Sequence, residues 1–237
     1  MNDTLMTHSV SGSLVNNSAR YSHNTVQGHH HGLFGVMYYA DMNQLRWSMS
    51  VGCLLDTDSP AARYGAGQVL KRPILGSGVI LSDTKPNRLV ISDLHIPYHH
   101  RDSFDFLQAV KKEFRCTEIL NVGDLLDHHQ GSYHESEPDA LDPESEYYAA
   151  QKYGKELQSL FPNMVITSGN HDKIPQRKLK TVGLPSSMVS DYNLLYGFKD
   201  GWKWVDQHKF NSGQGRPSVV PMTLNKRGRW DRKVKAR

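Results

Sequence analysis

Three polar motifs, each placed directly after a short apolar segment, constrain the fold of this chain most strongly. The segments RLVIS, EILNV and MVITS precede the motifs Asp93-Leu94-His95, Gly123-Asp124-Leu125-Leu126-Asp127 and Gly169-Asn170-His171-Asp172. Such short apolar runs predict buried strands. Helical patterns over 103–114, with Asp102 as the N-cap, and over 143–160 separate them. This alternation predicts an α/β fold whose polar loops gather at the carboxyl ends of parallel strands.

A histidine-rich motif, Gly28-His29-His30-His31, stands before the other three, after the apolar segment TVQ. In the same N-terminal part, His8 follows the segment LMT and is a candidate functional histidine. His23 is a nearby alternative to it. An extended loop would point His30 away from its neighbours. Imidazole, carboxylate and amide groups are chemically suitable ligands for divalent transition metals.

The four motifs resemble those of the calcineurin-like metallophosphoesterases, in which Gly-His-x-His closes the series instead of opening it. The chain therefore resembles a circularly permuted, phage-type member of that family, and the resemblance implies a four-layer α/β/β/α sandwich. It implies one domain over 1–237, in which 1–80 are equivalent to the usual C-terminal part and 89–208 to the usual N-terminal part. Residues 81–88 form the linker, and 209–237 form a strand plus a basic tail. We further expect SVVPMTL and ILGSGVIL to pair as two arms of a split hairpin.

Carried over residue by residue, the resemblance implies a centre of two divalent transition-metal ions bridged by Asp124. The ligands that would complete the first metal site are Asp93, His95 and His31, and those of the second are Asn170, His8 and His29. Manganese is the leading candidate, with Fe, Zn, Co and Ni as alternatives.

The resemblance also implies the catalytic groups. His171 would act as a general acid towards the leaving group, and Asp127 would orient it and favour its protonated form. A hydroxide that bridges the ions would attack phosphorus in line. The implied function is a dinuclear metal-dependent phosphoester hydrolase, with phosphodiesterase activity favoured. Asp172, in place of the usual Glu, and His128-His129, in place of Arg-Gly, disfavour a protein phosphatase.

Two other functions are open at this point: a metal-dependent nuclease acting on DNA or RNA ends, and a catalytically silent nucleic-acid-binding scaffold. The last dozen residues, KRGRWDRKVKAR, hold seven Lys or Arg against one Asp. This tail could bind nucleic acid, or it could be a solvated and partly disordered terminus. The substrate that we expect first is a small phosphodiester or nucleotide.

Three further sets of residues each allow two interpretations. The histidines after the second motif could line a substrate pocket or lie on the surface: His128, His129 and His134. Two cations after the third motif could bind phosphate oxygens or begin a solvated helix: Arg177 and Lys178. Four aromatic residues favour core packing over a base-stacking platform: Trp202, Trp204, Phe198 and Tyr196.

The cysteine content and the hydropathy predict the compartment. Cys53 and Cys116 cannot form a disulfide framework, which favours a reducing environment. The chain does not begin with a basic end followed by an apolar stretch, and no run approaches about 18 apolar residues. We therefore expect a cytoplasmic protein without membrane association, in the host cytoplasm if it is phage-encoded. The oligomeric state stays open.

Overall fold

A computed structural model describes residues 3–8, 13–40, 42, 44–63, 72–84, 86–132, 137–189 and 191–235. The strands are β1 Asp3–Thr7, β2 Asn24–Gln27, β3 Phe34–Ala40, β4 Leu45–Val51, β5 Gly76–Leu81, β6 Arg88–Ile91, β7 Glu118–Asn121, β8 Met164–Thr167, β9 Trp202–Val205, β10 His208–Asn211 and β11 Arg216–Pro221. The helices are α1 Leu14–Tyr21, α2 Pro60–Arg63, α3 Ser103–Glu113, α4 Pro143–Leu160, α5 Ile174–Thr181 and α6 Tyr192–Tyr196. Single 3-10 turns occupy His129–Gly131 and Ser186–Val189.

These strands form two sheets. The six-stranded sheet has the order β11-β5-β6-β7-β8-β9, and its strands β6, β7, β8 and β9 run parallel. The five-stranded sheet has the order β10-β1-β2-β4-β3, and its strands β1, β2 and β4 run parallel. Both sheets are mixed, since antiparallel strands flank each parallel set.

Two hydrophobic clusters define the layers. One joins the sheets face to face, with Met6 and Val26 from one sheet and Val90 and Val122 from the other. The second packs α3 and α4 on the outer face of the six-stranded sheet, and Phe106 is fully buried there. Burying a side chain of that size contributes roughly 1.5–3 kcal/mol. Because α1 packs on β4 and β3, the layers follow the predicted α/β/β/α order.

Most local predictions are confirmed. Helix α4 begins at Pro143, where the Asp142 carboxylate accepts the N–H groups of Glu144 and Ser145. Helix α3 also lies where the pattern placed it, but the prediction that Asp102 caps it is wrong for the side chain. That carboxylate is bound by groups from the C-terminal part of the chain instead.

The predicted split hairpin is confirmed by the register of β5 and β11. These strands pair antiparallel, with Leu81 opposite Arg216. A second antiparallel pair, β1 with β10, places Asp3 opposite Asn211. Residues 82–87 connect β5 to its neighbour β6. None of the described helices combines the length and the apolarity needed to cross a membrane.

Candidate metal centre

Parallel strands from both sheets carry the motif side chains to one place. In the six-stranded sheet, Asp93, Asp124 and Asn170 follow the carboxyl ends of β6, β7 and β8, which lie at one edge. In the five-stranded sheet, the parallel strands β1 and β2 end at Thr7 and Gln27, directly before the histidine loops. The packing of the sheets brings the two sets of loops together.

Asp124 lies at the middle of this arrangement. Its Oδ2 atom is 3.0 Å from Nε2 of His8 and 3.9 Å from Nε2 of His95. Its Oδ1 atom accepts the N–H of His171 at 2.8 Å. Asn170 Oδ1 lies 3.1 Å from the same nitrogen of His8. Burial by itself lowers the pKa of His8, but the Asp124 carboxylate outweighs this and raises it to about 10.

Asp93 is the second buried carboxylate. Its Oδ1 atom is 3.2 Å from Nε2 of His31 and 4.0 Å from Nε2 of His95. The N–H of His29 points at both oxygens, at 3.2 and 3.0 Å, and the Ser92 hydroxyl donates to Oδ2. Burial by itself raises the pKa of Asp93, but the hydrogen bond with His31 outweighs it and holds this pKa below its usual range.

The ligand atoms fall into groups whose members all lie within 4.8 Å of one another: His8, His29 and Asp124; His31, Asp93 and His95; and His95, Asp127 and His171. The first two groups match the second and first metal sites that the resemblance implies. His95 belongs to two groups because it uses a different ring nitrogen in each.

The backbone at the centre is strained. Asp93, His95, Asp124 and His29 have φ of +51°, +51°, +48° and +69°, in the left-handed region that non-glycine residues rarely adopt. Each such conformation costs on the order of 1–3 kcal/mol and persists only where the surroundings enforce it. The strain aims the side chains at one point at the expense of folding stability.

Two motif glycines permit close approach. A Cβ atom on Gly28 would lie 2.1 Å from Ser92 Oγ and 2.7 Å from Asp93 Oδ2. A Cβ atom on Gly169 would lie 2.0 Å from Asp124 Oδ1. Both glycines therefore leave the space that the carboxylates occupy.

The donor set fits divalent transition-metal ions. Nε2 of His95 is buried and has no hydrogen-bond partner among the described residues, although the Asp93 and Asp124 oxygens lie 4.0 and 3.9 Å away. Two ligand atoms that each lie about 2.1 Å from one ion are roughly 3–4 Å apart. The spacing and the orphaned nitrogen therefore suit an ion held between these groups, and imidazole, carboxylate and amide donors suit Mn, Fe, Zn, Co or Ni.

Asp127 joins the centre to His171. Its Oδ1 atom contacts Nδ1 of His95 at 2.5 Å and Nδ1 of His171 at 3.2 Å, and its carbonyl oxygen lies 2.8 Å from the same His171 nitrogen. Burial by itself lowers the pKa of His171, but Asp127 outweighs this and raises it to about 9. Asp127 thus contacts the predicted general acid, His171. It also holds His95 by Nδ1, the ring nitrogen that faces away from Asp93 and Asp124.

Other histidines lie outside the predicted ligand groups. The His23 ring contacts the carbonyl of Tyr21, so the structure places His8 and not its competitor among the carboxylates. His30 packs on His29, with ring centroids 5.0 Å apart. His128 bridges the His171 carbonyl and the Tyr196 hydroxyl, at 3.0 and 2.6 Å, which favours a packing role.

The remaining predictions have mixed outcomes. His129 is buried beneath α4, and His134 lies outside the described residues. Arg177 donates to the Asn170 carbonyl at 3.0 Å, so its guanidinium lies beside the second group of ligands. Lys178 lines a cavity of ≈ 230 Å³ between α4 and α5. The four aromatic residues pack inside or against the core, as favoured: Trp202, Phe198 and Tyr196 are buried, and Trp204 packs against them.

The structural roles of two buried acids were not predicted from the sequence. Asp172 accepts the N–H groups of Leu126 and Gly169, at 2.9 and 2.8 Å, and so ties the second motif loop to the third. Burial, with repulsion from Asp124, raises the pKa of Asp172 to about 7. Glu146 on α4 accepts the N–H of His129 at 2.9 Å. No local pattern marks the bonds to Leu126 and His129, because they join residues 46 and 17 positions apart.

A scan against protein-family models finds the calcineurin-like phosphoesterase model over residues 87–230, which is more than half of the 237-residue chain. The chain belongs to the calcineurin-like phosphoesterases. No curated protein and no solved structure matches it significantly. The His/Asp groups are compatible with metal-dependent phosphoester hydrolysis, and the family typically binds two divalent metals.

The matched segment does not contain every predicted ligand of this phosphoesterase. His8, His29 and His31 precede residue 87, whereas the four other predicted ligands follow it. The structure nevertheless brings all three of these histidines into contact with Asp93 or Asp124, His29 through its backbone N–H.

Proposed function

We propose that this phosphoesterase is a dinuclear phosphodiesterase that acts on small phosphodiesters or nucleotides, with manganese as the leading metal. The observation that carries the proposal is the contact of one buried carboxylate, Asp124, with both histidine groups. A carboxylate so placed suits a bridge between two ions. Ions held by these ligands supply an activated water and positive charge for the phosphate oxygens.

The residues of this chain would hold the ions and transfer a proton to the leaving group. Asp93, His95 and His31 would hold one ion, His8, His29 and Asn170 would hold the other, and Asp124 would be shared. Asp127 keeps the His171 ring oriented and favours its protonated state. A water oxygen would bond to phosphorus in line with the leaving oxygen, and His171 would give its proton to that leaving oxygen as the ester bond breaks, so the configuration at phosphorus would invert.

The proposed preference of the enzyme for diesters over monoesters rests on two variants in its motifs. Asp172 and the pair His128-His129 replace the Glu and Arg-Gly of the protein phosphatases. In this fold Asp172 ties the loops together, and His128, which stands where those enzymes have Arg, contacts Tyr196 and offers no guanidinium to a phosphate monoester.

We also propose that the chain order is circularly permuted. In an ordinary order β10 would lead directly into β1, and Asn211 already lies opposite Asp3. Likewise β5 would lead into β11, and Leu81 lies opposite Arg216. A rearranged chain of 88–211, 3–81 and 212–235 therefore needs only short turns at both junctions. Retained metal binding and activity in that chain supports the permutation, and an unfolded or metal-free product contradicts it.

The activity test compares initial rates on bis(p-nitrophenyl) phosphate and p-nitrophenyl phosphate, after metal removal and reloading with Mn. We expect metal-dependent turnover of the diester well above the monoester. Asp124→Asn should lose metal and activity together, whereas Asp200→Asn, a matched change at an exposed turn, should leave both unchanged. Unchanged metal content and activity in Asp124→Asn would refute the assignment of the bridge.

A further inference from the structure

The C-terminal basic segment forms a folded hairpin, which we define as residues 223–231. The N–H of Asn225 donates to the Arg229 carbonyl at 2.7 Å, and the N–H of Asp231 donates to the Thr223 carbonyl at 2.9 Å. Gly228 at its tip has φ of +65°, as a tight turn requires. Residues 223–231 therefore form a folded turn that is exposed except at Trp230.

The hairpin is anchored to the start of α3. The Trp230 ring packs on Phe106, with centroids 5.6 Å apart, and the backbone N–H of Trp230 donates to Asp102 Oδ2 at 3.0 Å. Arg229 forms an ion pair with the other oxygen of Asp102 at 2.6 Å. The buried carboxylate that fails to cap α3 thus serves as the attachment point for the hairpin.

The anchor lies on the loop that leaves the metal centre. Arg101 donates to the Gly228 carbonyl at 3.3 Å, and Arg101 is six residues after the predicted ligand His95. Six residues span at most about 20 Å. A single nucleic-acid strand with a rise of about 3.4 Å per nucleotide covers that distance with roughly six nucleotides.

The surface at this place is strongly cationic. Seven exposed cations belong to the hairpin, to the residues after it and to its anchor: Arg101, Lys226, Arg227, Arg229, Arg232, Lys233 and Lys235. Three carboxylates accompany them: Asp102, Asp105 and Asp231. Lys226 and Arg227 stand at the tip, and both are exposed.

We propose that the hairpin is a nucleic-acid-binding surface, which holds the strand while one of its phosphodiesters reaches the metal centre. This proposal rests on the proposed phosphodiesterase chemistry and extends its substrates from small diesters to a nucleic-acid strand. Repeated phosphates match the cluster of exposed cations on the hairpin and on the loop that leaves the centre, and each contact releases counterions. A membrane surface fits less well, because the Trp230 ring packs against the core and is not presented to a bilayer.

The test removes the two tip charges in the variant Lys226→Ser/Arg227→Ser. The matched control is Lys199→Ser/Lys203→Ser, which makes the same change of charge at exposed positions near β9, the opposite edge of the six-stranded sheet. Fluorescence anisotropy measures binding of a 12-nucleotide phosphorothioate DNA strand to the metal-loaded proteins. We expect about a tenfold weaker Kd for the tip variant and a salt slope that is smaller by about 1.4, from roughly 0.7 per lost phosphate contact.

The outcomes separate this proposal from the proposed function. Equal DNA affinity for wild type and the tip variant overturns the hairpin proposal, as does a tip variant that loses affinity only for phosphatidylserine vesicles. The tip variant should hydrolyse bis(p-nitrophenyl) phosphate at the wild-type rate. If no protein hydrolyses that ester while hairpin-dependent DNA binding persists, the proposed function fails and the binding surface stands.

Discussion

Gly169→Ala tests how far the centre depends on the position of Asp124. The added Cβ atom would lie 2.0 Å from Asp124 Oδ1 and 2.5 Å from its backbone nitrogen. Ordinary contacts of this kind begin at 3.4 Å, so the carboxylate must move by about 1.4 Å, the difference between those distances. Because the Asp124 backbone lies in the way as well, rotation of the side chain alone cannot relieve the clash.

A displacement of about 1 Å in a catalytic arrangement costs on the order of 100-fold in rate. We therefore expect kcat/KM of Gly169→Ala on a phosphodiester to fall about 100-fold or more, which corresponds to about 2.7 kcal/mol of transition-state stabilisation. Since Asp124 is the proposed shared ligand, the metal content should also fall below that of the wild type. Initial rates and elemental analysis of purified protein measure both effects.

Gly35→Ala is the matched control, because a Cβ atom there meets nothing within 4 Å. It should retain the wild-type rate, metal content and thermal unfolding midpoint. Gly28→Ala is a second probe, since its Cβ atom approaches Asp93 at 2.7 Å and should disturb the first metal site. Wild-type rate and metal content in Gly169→Ala would refute the reasoning.

Three further predictions concern buried polar groups. Burial raises the pKa of Glu146 from 4.5 to about 7. The protonated side chain therefore stabilises the fold below about pH 4.5. This contribution, on the order of 2–3 kcal/mol, is lost as pH rises through about 7. Glu146→Gln should therefore flatten the unfolding free energy between pH 5 and 8 in denaturant titrations, and an unchanged pH profile would contradict this. Asp172→Asn should lower the unfolding free energy by about 1–3 kcal/mol, because its amide can accept only one of the two N–H groups, and a neutral result in urea melts would count against that role. Tyr196→Phe should cost about 1–2 kcal/mol by leaving Nε2 of His128 without its 2.6 Å partner, whereas an unchanged melting temperature would show that water replaces it.

Local signals in the sequence predicted the six-stranded sheet and its helices well. The strand candidates around residues 88–91, 118–121 and 164–167 and the helix over 143–160 all occur in the structure. Each is marked by an apolar run or an N-terminal proline within its own residues. Helix α1 carries no such signal, because the residues that it buries include Asn17 and Ser18, which bond to Gln27 and Ser48 across the sheet.

In the candidate site, too, the local sequence predicts some residues and not others. Motif resemblance identified the ligand candidates, since each motif is a contiguous string of chemically specific residues. It did not identify what supports them. Asp102 illustrates the difference: its sequence position predicts a helix cap, but a cation and an N–H more than 120 residues later in the chain compete for its oxygens. Such competition is decided by the packed fold and leaves no trace in the local pattern.

The metal centre exists only when both sheets are packed together. His8, His29 and His31 come from the five-stranded sheet, and the carboxylates that they contact come from the other. His8 is further tied across the sheets by Nδ1, 2.7 Å from the Val122 carbonyl. These contacts depend on the register and stacking of strands, and not on which strand is synthesised first. A change in chain order that keeps the pairs β1–β10 and β5–β11 therefore leaves every ligand position unaltered, whereas a change that breaks either pair removes the support of the centre.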